Sequence, residues 1–466
     1  MRHTSTAGRW RSLFDVYTRR PVITMLFLGF SAGLPFMLVF GTLSAWLRES
    51  GVSRTTIGFF SWVGITYSIK VFWAPLIDRL PFPVLTRSLG KRRGWMLAGQ
   101  LGIASGLIGM ASVNPVGHLP FMAGFALLVA FSSATQDVAL DAFRIEAEAV
   151  EFQGAMAATY QLGWRFGFLA SYTGALYLAS LTSWHLTYMT MAALTLVGMT
   201  TVLITREPEH HTSRDTALRE ARAVAFVEKR RHWPAWLQRA GGWSMGAVVC
   251  PIADFFSRFG TLALAILALV AVFRISDIAM ASMANPLYID LGFTKPQIAD
   301  ISGAYGLAMT ILGAFIGGSA VARFGILRPL LVAAVLASGT NLLFAYMSQQ
   351  HGSVTMLTLV ISADNLSGGL AGSVFIAWLS SLTNTTYTAT QYALFSSLMT
   401  LPGKFLSGFG GTVVDTQGYA TFFTATAVLG IPAIALIVFL MNSRGYDRRL
   451  GELATGETAE QGGGTG

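Results

Sequence analysis

The sequence has 466 residues, of which 53% are hydrophobic and only 12% are charged. That charged share is about half of what an ordinary soluble domain carries, and it is too small to cover the surface of a soluble globular protein. The single cysteine, Cys250, excludes an intramolecular disulfide and a cysteine-based metal cluster.

Apolar runs of about twenty residues recur along the whole chain. Each is long enough to cross a hydrocarbon core of about 30 Å at about 1.5 Å per residue. Because a chain in lipid must satisfy its own backbone polar groups, the runs predict an all-α membrane protein. The twelve predicted spans are 22–46, 56–76, 94–113, 119–142, 153–180, 184–204, 260–289, 297–320, 326–347, 354–382, 389–413 and 420–441.

The net charge of +9 is compatible with nucleic-acid binding, but the placement of the basic residues argues against it. Of the 32 Lys and Arg residues, 25 fall outside the spans on one side of the membrane and four fall within spans. This asymmetry predicts that both termini are cytoplasmic, because cytoplasmic loops are enriched in Lys and Arg. The three basic residues on the other side are Arg48, Arg54 and Lys295.

A polar, basic stretch at 206–258 divides six predicted spans from six. Within it, Thr216–Ala240 mixes apolar and basic residues, which predicts an amphipathic helix on an anionic membrane surface, with a solvated linker as the alternative. The predicted organisation is an N-terminal tail and six-helix bundle (1–205), a basic cytoplasmic loop (206–258), a second six-helix bundle (259–445) and a flexible tail (446–466).

The two halves repeat short patterns. Leu47–Ile57 and Tyr288–Ile298 each contain a glycine followed six residues later by isoleucine, at an offset of 241 residues. Repeated six-helix units are typical of secondary transporters, which bind their solutes near the membrane midplane between the repeats. We therefore expect two pseudo-symmetric six-helix bundles around a central site.

Four basic residues lie within the spans, where a charge costs several kcal/mol unless it faces a partner or an aqueous cavity. Arg165 and Lys404 fall near the predicted midplane, so we interpret them as a clamp for an anionic solute. The alternative is that they form interhelical ion pairs with Asp137, Asp277 or Asp364.

The other two buried cations have different surroundings. Arg274 and Asp277, three residues apart on one helix, can neutralise each other, and Lys70 could either face a cavity or snorkel to the interface. Asp137 is the leading candidate for proton coupling, because burial disfavours an ionised carboxylate. Asp277 and Asp364 are further candidates for that role.

A gate is predicted where polar residues approach the cytoplasmic interface. Asp141 and Arg144, one helical turn apart, can pair as a latch. Asp78 and Arg79, in the loop after the second span, are assigned to the same gate.

Several motifs resemble a known transporter family. Asp78-Arg79 followed by Arg92-Arg93-Gly94 resembles the loop 2–3 signature of the major facilitator superfamily. Within that superfamily, Gly33-Leu34-Pro35, Ser133–Glu146 and Ala389–Leu394 are similar to the AmpG-type anhydromuropeptide permeases. Two features depart from the family pattern: the central loop is longer and more basic, and Lys404 stands where arginine is expected.

The resemblance implies proton-coupled import of cell-wall turnover products across the bacterial inner membrane. The implied cargo is a GlcNAc–anhydroMurNAc disaccharide with or without its stem peptide, and the implied physiology includes a link to the β-lactam response. Such a ligand has carboxylates for basic side chains and sugar faces for aromatic ones. The substrate-binding candidates are Arg165, Lys404, Gln136, Lys70, Trp164, Tyr160, Tyr305, Tyr392 and Arg274.

Two alternative functions are compatible with the sequence. Permeases for other anionic solutes, such as siderophores or acyl-CoA, have similar patterns in the fourth span. A membrane-embedded transferase would need a catalytic constellation at one membrane face, whereas the polar residues here converge on the midplane. We therefore expect a transporter and not an enzyme, driven by the proton gradient without a cofactor, with lipid as its surroundings and no nucleic-acid partner.

Overall fold

The computed structural model describes residues 17–80, 82, 85–147, 152–208, 250–350, 352–382 and 388–443. In these ranges the chain is helical and has no β-strand. The helices group into two sets of six rods, which we number α1 to α12.

The first six rods, several of them composed of consecutive helical segments, precede the central loop. They are α1 (Arg20–Leu38 and Gly41–Glu49), α2 (Arg54–Phe60, Ser61–Gly64, Ile65–Ile69, Lys70–Phe72 and Ala74–Arg79), α3 (Lys91–Ala111), α4 (Leu119–Glu146), α5 (Gln153–Leu169, Ala170–Gly174 and Ala175–Leu181) and α6 (Trp184–Leu194 and Leu196–Ile204). A short helix, Leu85–Leu89, lies between α2 and α3.

The second six rods follow a helix at Cys250–Phe259. They are α7 (Leu262–Val272 and Ile275–Asp290), α8 (Lys295–Ile298, Ala299–Tyr305 and Gly306–Phe324), α9 (Leu327–Met347), α10 (Val354–Leu382), α11 (Thr388–Ser407 and the part of Gly410–Val428 before Gly418) and α12 (the part of Gly410–Val428 after Gly418, and Ile431–Met441). Gly418, with φ of +84°, turns the chain between α11 and α12, a conformation that glycine adopts without strain.

Nine of the described helical segments are long and apolar enough to cross a membrane. The three rods outside this set are α2, α5 and α11, and each carries one of the buried cations Lys70, Arg165 and Lys404. The prediction of an all-α membrane protein is confirmed, and the twelve described rods are consistent with the predicted twelve spans. We call the end of the bundle where α1 begins the terminal face, and the end where α1 meets α2 the opposite face.

Backbone-to-backbone contact joins helices within each half. A Cβ atom placed on Gly163 of α5 would lie 1.9 Å from the carbonyl oxygen of Leu26 in α1, and one on Gly29 of α1 would also collide with α5. In the second half, a Cβ on Gly313 of α8 would lie 2.1 Å from the Leu366 carbonyl oxygen in α10. Lipid offers no hydrophobic drive for helix association, so close packing of small residues must hold these helices together.

The apolar core shows where the two halves are joined. One cluster of buried side chains draws on both halves, with Trp46 and Tyr188 from the first and Phe344 and Phe423 from the second. Two other clusters are confined to the second and first half respectively. The halves therefore share apolar core on one side and have separate cores elsewhere.

Residues of the loop 2–3 signature cap helix ends at the terminal face. The Glu207 carboxylate accepts hydrogen bonds from the backbone N–H groups of Arg92 (2.7 Å) and Arg93 (3.1 Å) at the start of α3. The Arg93 guanidinium donates to the Val202 carbonyl at the end of α6 (2.8 Å), and Arg92 pairs with Glu146 at 2.7 Å. Capping of both ends stabilises the α3–α6 contact, because terminal backbone groups otherwise lack partners.

Two details differ from the sequence-based spans. The seventh span is broken between Val272 and Ile275, so a helix begins inside the membrane. Helix Cys250–Phe259 lies within the stretch assigned to the central loop. The predicted amphipathic helix Thr216–Ala240 and the tail 446–466 lie outside the described residues.

Replacing Gly163 with alanine is expected to destabilise the protein. The new Cβ would overlap the Leu26 carbonyl oxygen, so α1 and α5 would have to separate, at a cost of about 1–3 kcal/mol. Gly124→Ala is the matched control, because a Cβ there meets open space and alanine favours a helix by about 1 kcal/mol. Thermal unfolding in detergent should show a lower melting temperature for Gly163→Ala only, and equal melting temperatures would contradict the packing argument.

Candidate functional site

A cavity of about 580 Å³ lies between the two halves. Its wall is contributed by α1, α2, α5, α7, α8, α9, α10 and α11. A pocket of this size, with apolar walls and a few polar groups, suits a small organic ligand. The aromatic lining residues are Phe36, Phe40, Phe60, Phe168, Tyr172, Tyr288 and Phe344.

One wall of the cavity carries an amino group that no carboxylate neutralises. The Lys404 Nζ atom donates to the Ser68 hydroxyl at 3.0 Å and lies 5.7 Å from the centre of the Tyr67 ring. Among the described residues, no carboxylate oxygen lies within 4 Å of it. A charge in this position is costly without a counter-ion, so Lys404 can accept an anionic group of a ligand.

Another part of the cavity wall carries two carboxylates and one guanidinium. Arg274 Nε lies 3.2 Å from Asp277 Oδ2, and Asp364 of α10 borders the same cavity. The break in α7 places Asp277 in the first turn of its second segment, where the helix dipole stabilises a negative charge. The predicted Arg274–Asp277 pair is thus present, and Asp364 adds a second carboxylate beside it.

A second acid–base pair lies inside the first half. Lys70 Nζ on α2 is 3.8 Å from Asp137 Oδ2 on α4, and neither residue borders the central cavity. Gln136 is fully buried and its Oε1 lies 3.5 Å from the Ser31 hydroxyl, within the first half. The Arg144 and Asp141 side chains approach to 3.9 Å, which fits the predicted latch.

Arg165 lies beside the aromatic lining of the cavity (Phe36, Phe168 and the neighbouring rings, here called the aromatic wall) rather than on the cavity surface. Its guanidinium carbon is 5.6 Å from the Trp164 ring, and the Trp164 ring lies 5.8 Å from Phe36 and 5.7 Å from Phe168. In the part of the chain that the structure describes, no carboxylate is within 4 Å of Arg165. Arg165 and Lys404 are therefore the two buried cations without an anionic partner there.

The remaining candidates are less close to the cavity. Tyr160 packs against Gly29 through its backbone, and Tyr305 exchanges a hydrogen bond with the Ser362 hydroxyl at 2.8 Å; neither borders the cavity. The side chains of Asp78, Arg79 and Tyr392 lie outside what the structure describes.

Ion pairs tie the halves together at the opposite face. Asp290 at the end of α7 accepts from Arg48 of α1 (2.5 Å), and its other oxygen pairs with Arg54 of α2 (2.7 Å). Arg54 also pairs with Asp415 of α11 (3.2 Å). A fourth pair joins Lys295 of α8 to Glu49 of α1 at 2.9 Å.

Sequence reasoning treated Arg48, Arg54 and Lys295 only as markers of orientation. The structure shows that all three basic residues of this face bridge the halves. The sequence does place acidic residues near the same span ends, which was the available signal for ion pairs at this face. Which acidic residue pairs with which basic residue depends on how α1, α2, α7 and α8 pack together. The aromatic wall was missed for another reason, because phenylalanines that face a cavity look like those that face lipid.

Comparison with known proteins assigns the fold and the lineage. The sequence model of the Major Facilitator Superfamily matches residues 25–276, more than half of the chain. The anhydromuropeptide permease of Escherichia coli K12 is 32% identical over 91% of this chain and 80% of its own length. A Rickettsia conorii protein named as transporter AmpG 4 is 32% identical over 89% of this chain and 94% of its own. This chain belongs to the AmpG family of the Major Facilitator Superfamily.

Solved structures of that superfamily share the fold. A POT family transporter in complex with 5-aminolevulinic acid matches with a TM-score of 0.64 at 14% identity, covering 91% of this chain and 95% of its own. A D-xylose–proton symporter matches with a TM-score of 0.62 at 14% identity, covering 90% and 96%. At this identity the likeness concerns architecture alone. The family resemblance read from the sequence is confirmed.

Replacing Asp290 with asparagine is expected to open this transporter at the opposite face. The substitution removes the carboxylate shared by Arg48 and Arg54. Arg54 keeps its pair with Asp415, but the partly buried charge of Arg48 loses its ion-pair partner, which would favour separation of the halves. A loss of about 1.4 kcal/mol corresponds to a tenfold shift between closed and open conformations.

Accessibility of a cavity cysteine measures this opening. In a Cys250→Ser background, Ser44→Cys places a thiol at the cavity wall, and an impermeant maleimide reports access from the opposite face. We expect labelling about tenfold faster with Asp290→Asn and unchanged with Arg323→Gln, an exposed arginine at the terminal end of α8. Equal labelling rates in all three proteins would show that the ion pairs do not hold this face closed.

Proposed function

We propose that this protein imports anhydromuropeptides across the bacterial inner membrane for cell-wall recycling, by proton-coupled alternating access. The proposed cargo is a GlcNAc–anhydroMurNAc disaccharide with or without a stem peptide. In this proposal both termini are cytoplasmic, so the opposite face is periplasmic and the ion pairs of Asp290 close the periplasmic side. The excess of Lys and Arg on the terminal side supports that orientation.

The observation that carries the proposal is the amphipathic cavity with Lys404 on its wall. A carboxylate of the cargo would supply the counter-ion that Lys404 lacks, and the positive charge of Arg165, which lies behind the cavity surface beside Trp164, would add a longer-range attraction for an anionic cargo. Sugar faces pack against aromatic rings through their C–H groups, and the cavity offers Phe36, Phe168 and neighbouring rings. The name of the Escherichia coli relative points to the same class of cargo.

Protons would enter the cycle through buried aspartates. Asp137, Asp277 and Asp364 each lie within a membrane span beside a cation, and a neutral carboxyl group crosses a changing environment more cheaply than an ionised one. In the proposed cycle, Asp137 takes up a proton, releases Lys70 and lowers the cost of reorienting the first half. Asp277 and Asp364 are the carboxylates that the cargo itself would meet.

Uptake into proteoliposomes tests the transport reaction. With an inward pH gradient, radiolabelled GlcNAc–anhydroMurNAc should accumulate above its external concentration, and a protonophore should abolish accumulation. A competition panel with a siderophore and an acyl-CoA distinguishes the alternative cargoes. Accumulation that persists with the protonophore would contradict proton coupling, and preference for another anion would contradict the proposed cargo.

Asp137→Asn separates coupling from binding in the same vesicles. The variant should lose accumulation against a gradient, while exchange of external for internal substrate, which needs no net proton movement, should continue. Full accumulation by Asp137→Asn would remove this residue from the coupling step.

Lys404→Ala is expected to weaken cargo binding by about tenfold or more, because a charge-assisted hydrogen bond is worth about 1.5–3 kcal/mol. Lys404→Arg is the matched control, since it keeps the charge and adds a bidentate fork. Isothermal calorimetry with the purified protein should show loss with alanine and retained affinity with arginine. Unchanged affinity in the alanine variant would mean that Lys404 does not bind the cargo.

A further inference from the structure

Four irregular helix segments lie near the cavity. Rod α1 is interrupted between Leu38 and Gly41, and α5 and α8 contain π-helical segments at Ala170–Gly174 and Ala299–Tyr305. Rod α7 contains a proline, Pro286, within its helix. π-Helical turns are frequent at functional sites, and here two of them are packed together across the boundary between the halves.

A short hydrogen bond crosses that boundary. The Tyr172 hydroxyl of α5 donates to the Asn285 Oδ1 atom of α7 at 2.6 Å, and it also lies 3.3 Å from the Ser302 hydroxyl of α8. Tyr172 is 4% exposed and Asn285 is 8% exposed, yet both border the cavity. The bond is therefore shielded from lipid and bulk solvent but adjacent to the space where a solute would bind.

The surroundings fix the orientation of this amide. A Cβ on Gly41 would lie 2.9 Å from Asn285 Nδ2 and 3.2 Å from the Tyr172 ring, so only glycine lets α1 approach both side chains. The Thr42 hydroxyl donates to the Ser171 carbonyl at 2.7 Å, which holds the π-helical segment of α5 beside α1. The Tyr172 hydroxyl donates to the amide oxygen of Asn285, and the missing side chain of Gly41 leaves room for the amide nitrogen.

The amide nitrogen of Asn285 has no acceptor. No described residue accepts a hydrogen bond from Nδ2, although an amide group provides two N–H donors. The Nδ2 atom is open to the cavity, so the acceptor for its N–H groups comes from whatever fills the cavity. Asparagine at this position is explained if a ligand in the cavity supplies the missing acceptor.

A second asparagine on the cavity wall, Asn365, has hydrogen-bond partners that Asn285 lacks. Asn365 of α10 donates from Nδ2 to the Ile361 carbonyl at 3.1 Å and accepts from the Thr310 hydroxyl at 2.9 Å. Both ends of that amide are bonded within the second half. Asn365 uses one of its two N–H groups within its own half, whereas neither N–H group of Asn285 has an acceptor among the described residues, and only Asn285 bridges the halves.

We infer that Asn285 is a specificity-determining residue, which donates its amide N–H to an uncharged oxygen of the solute, a sugar hydroxyl or an acetamido carbonyl. Tyr172 is the positioning residue that holds the amide oxygen and so directs the nitrogen into the cavity. This inference rests on the proposed function for the identity of the cargo. It adds a neutral contact to the charged contact at Lys404.

The same geometry links recognition to movement of the halves. Asn285 belongs to the second half and Tyr172 to the first, so the Tyr172–Asn285 bond must break when the halves separate at the opposite face. A solute oxygen that holds the amide from the cavity side restrains Asn285 during that separation. Recognition and the contact between the halves therefore share one side chain.

Binding of the disaccharide to purified variants tests the inference. We expect Asn285→Ala to weaken binding about tenfold, since the loss of one buried hydrogen bond is worth about that factor. Tyr172→Phe should weaken binding in the same direction by a smaller factor, because it keeps the ring and releases the amide. Asn365→Ala is the comparison variant, because that cavity-wall amide is already bonded within the second half, and it should lose clearly less affinity than Asn285→Ala. Melting temperatures of all variants should be recorded to establish that they are folded.

The outcomes separate this inference from the proposed function. If the folded wild-type protein does not bind the disaccharide, the proposed cargo is wrong. If the wild type binds and Asn285→Ala binds equally well, or if Asn285→Ala and Asn365→Ala lose affinity alike, Asn285 has no specific role. A chemical cycle completes the test: an analogue that lacks the acetamido group or a single hydroxyl should lose affinity for the wild type but not for Asn285→Ala. If each analogue loses the same affinity for Asn285→Ala as for the wild type, the inference is overturned.

Discussion

Neutralisation of charge between the two halves organises this structure. An ion at bilayer depth is costly unless a counter-charge or a polar cavity accompanies it, and the described charges solve the problem in three ways. Lys70 and Asp137 pair inside one half, Asp290 collects two arginines from the other half, and Lys404 has only hydroxyl and aromatic neighbours. The first arrangement joins helices of one half, the second joins the two halves at one face, and the third leaves a cation on the cavity wall without a carboxylate partner.

Helix regularity follows the same division of roles. Rods that pack within a half do so through glycines such as Gly163 and Gly313, where backbones touch and side chains are absent. Several rods that line the cavity are interrupted, as α1 is after Leu38 and α7 at Arg274. Interrupted helices present backbone and polar groups to a cavity, which lipid would not tolerate. Close packing can thus keep each half rigid, while the polar groups lie on the surface that the halves share.

Much of the fold follows from the sequence because the bilayer imposes a length and a polarity on every span. The apolar runs predicted the rods to within a few residues, and the departures are the breaks inside rods, such as those after Leu38 and at Arg274, and the helix Cys250–Phe259. The Arg274–Asp277 pair was predictable as well, since helical spacing brings residues three apart onto one face. The loop 2–3 signature identified the lineage, while its action as a cap on α3 and α6 required the Glu207 contacts.

The sequence by itself determined the all-α membrane fold, the family and the residues whose charge has to be explained, and it predicted twelve spans in two halves. It could not determine which residues meet, because apolar spans carry little information about which neighbour they face. Only the tertiary structure paired Lys70 with Asp137, left Lys404 without a carboxylate, and turned Arg48, Arg54 and Lys295 into bridges between the halves. The Tyr172–Asn285 bond joins residues 113 positions apart, and such a contact exists only once the two bundles are packed together.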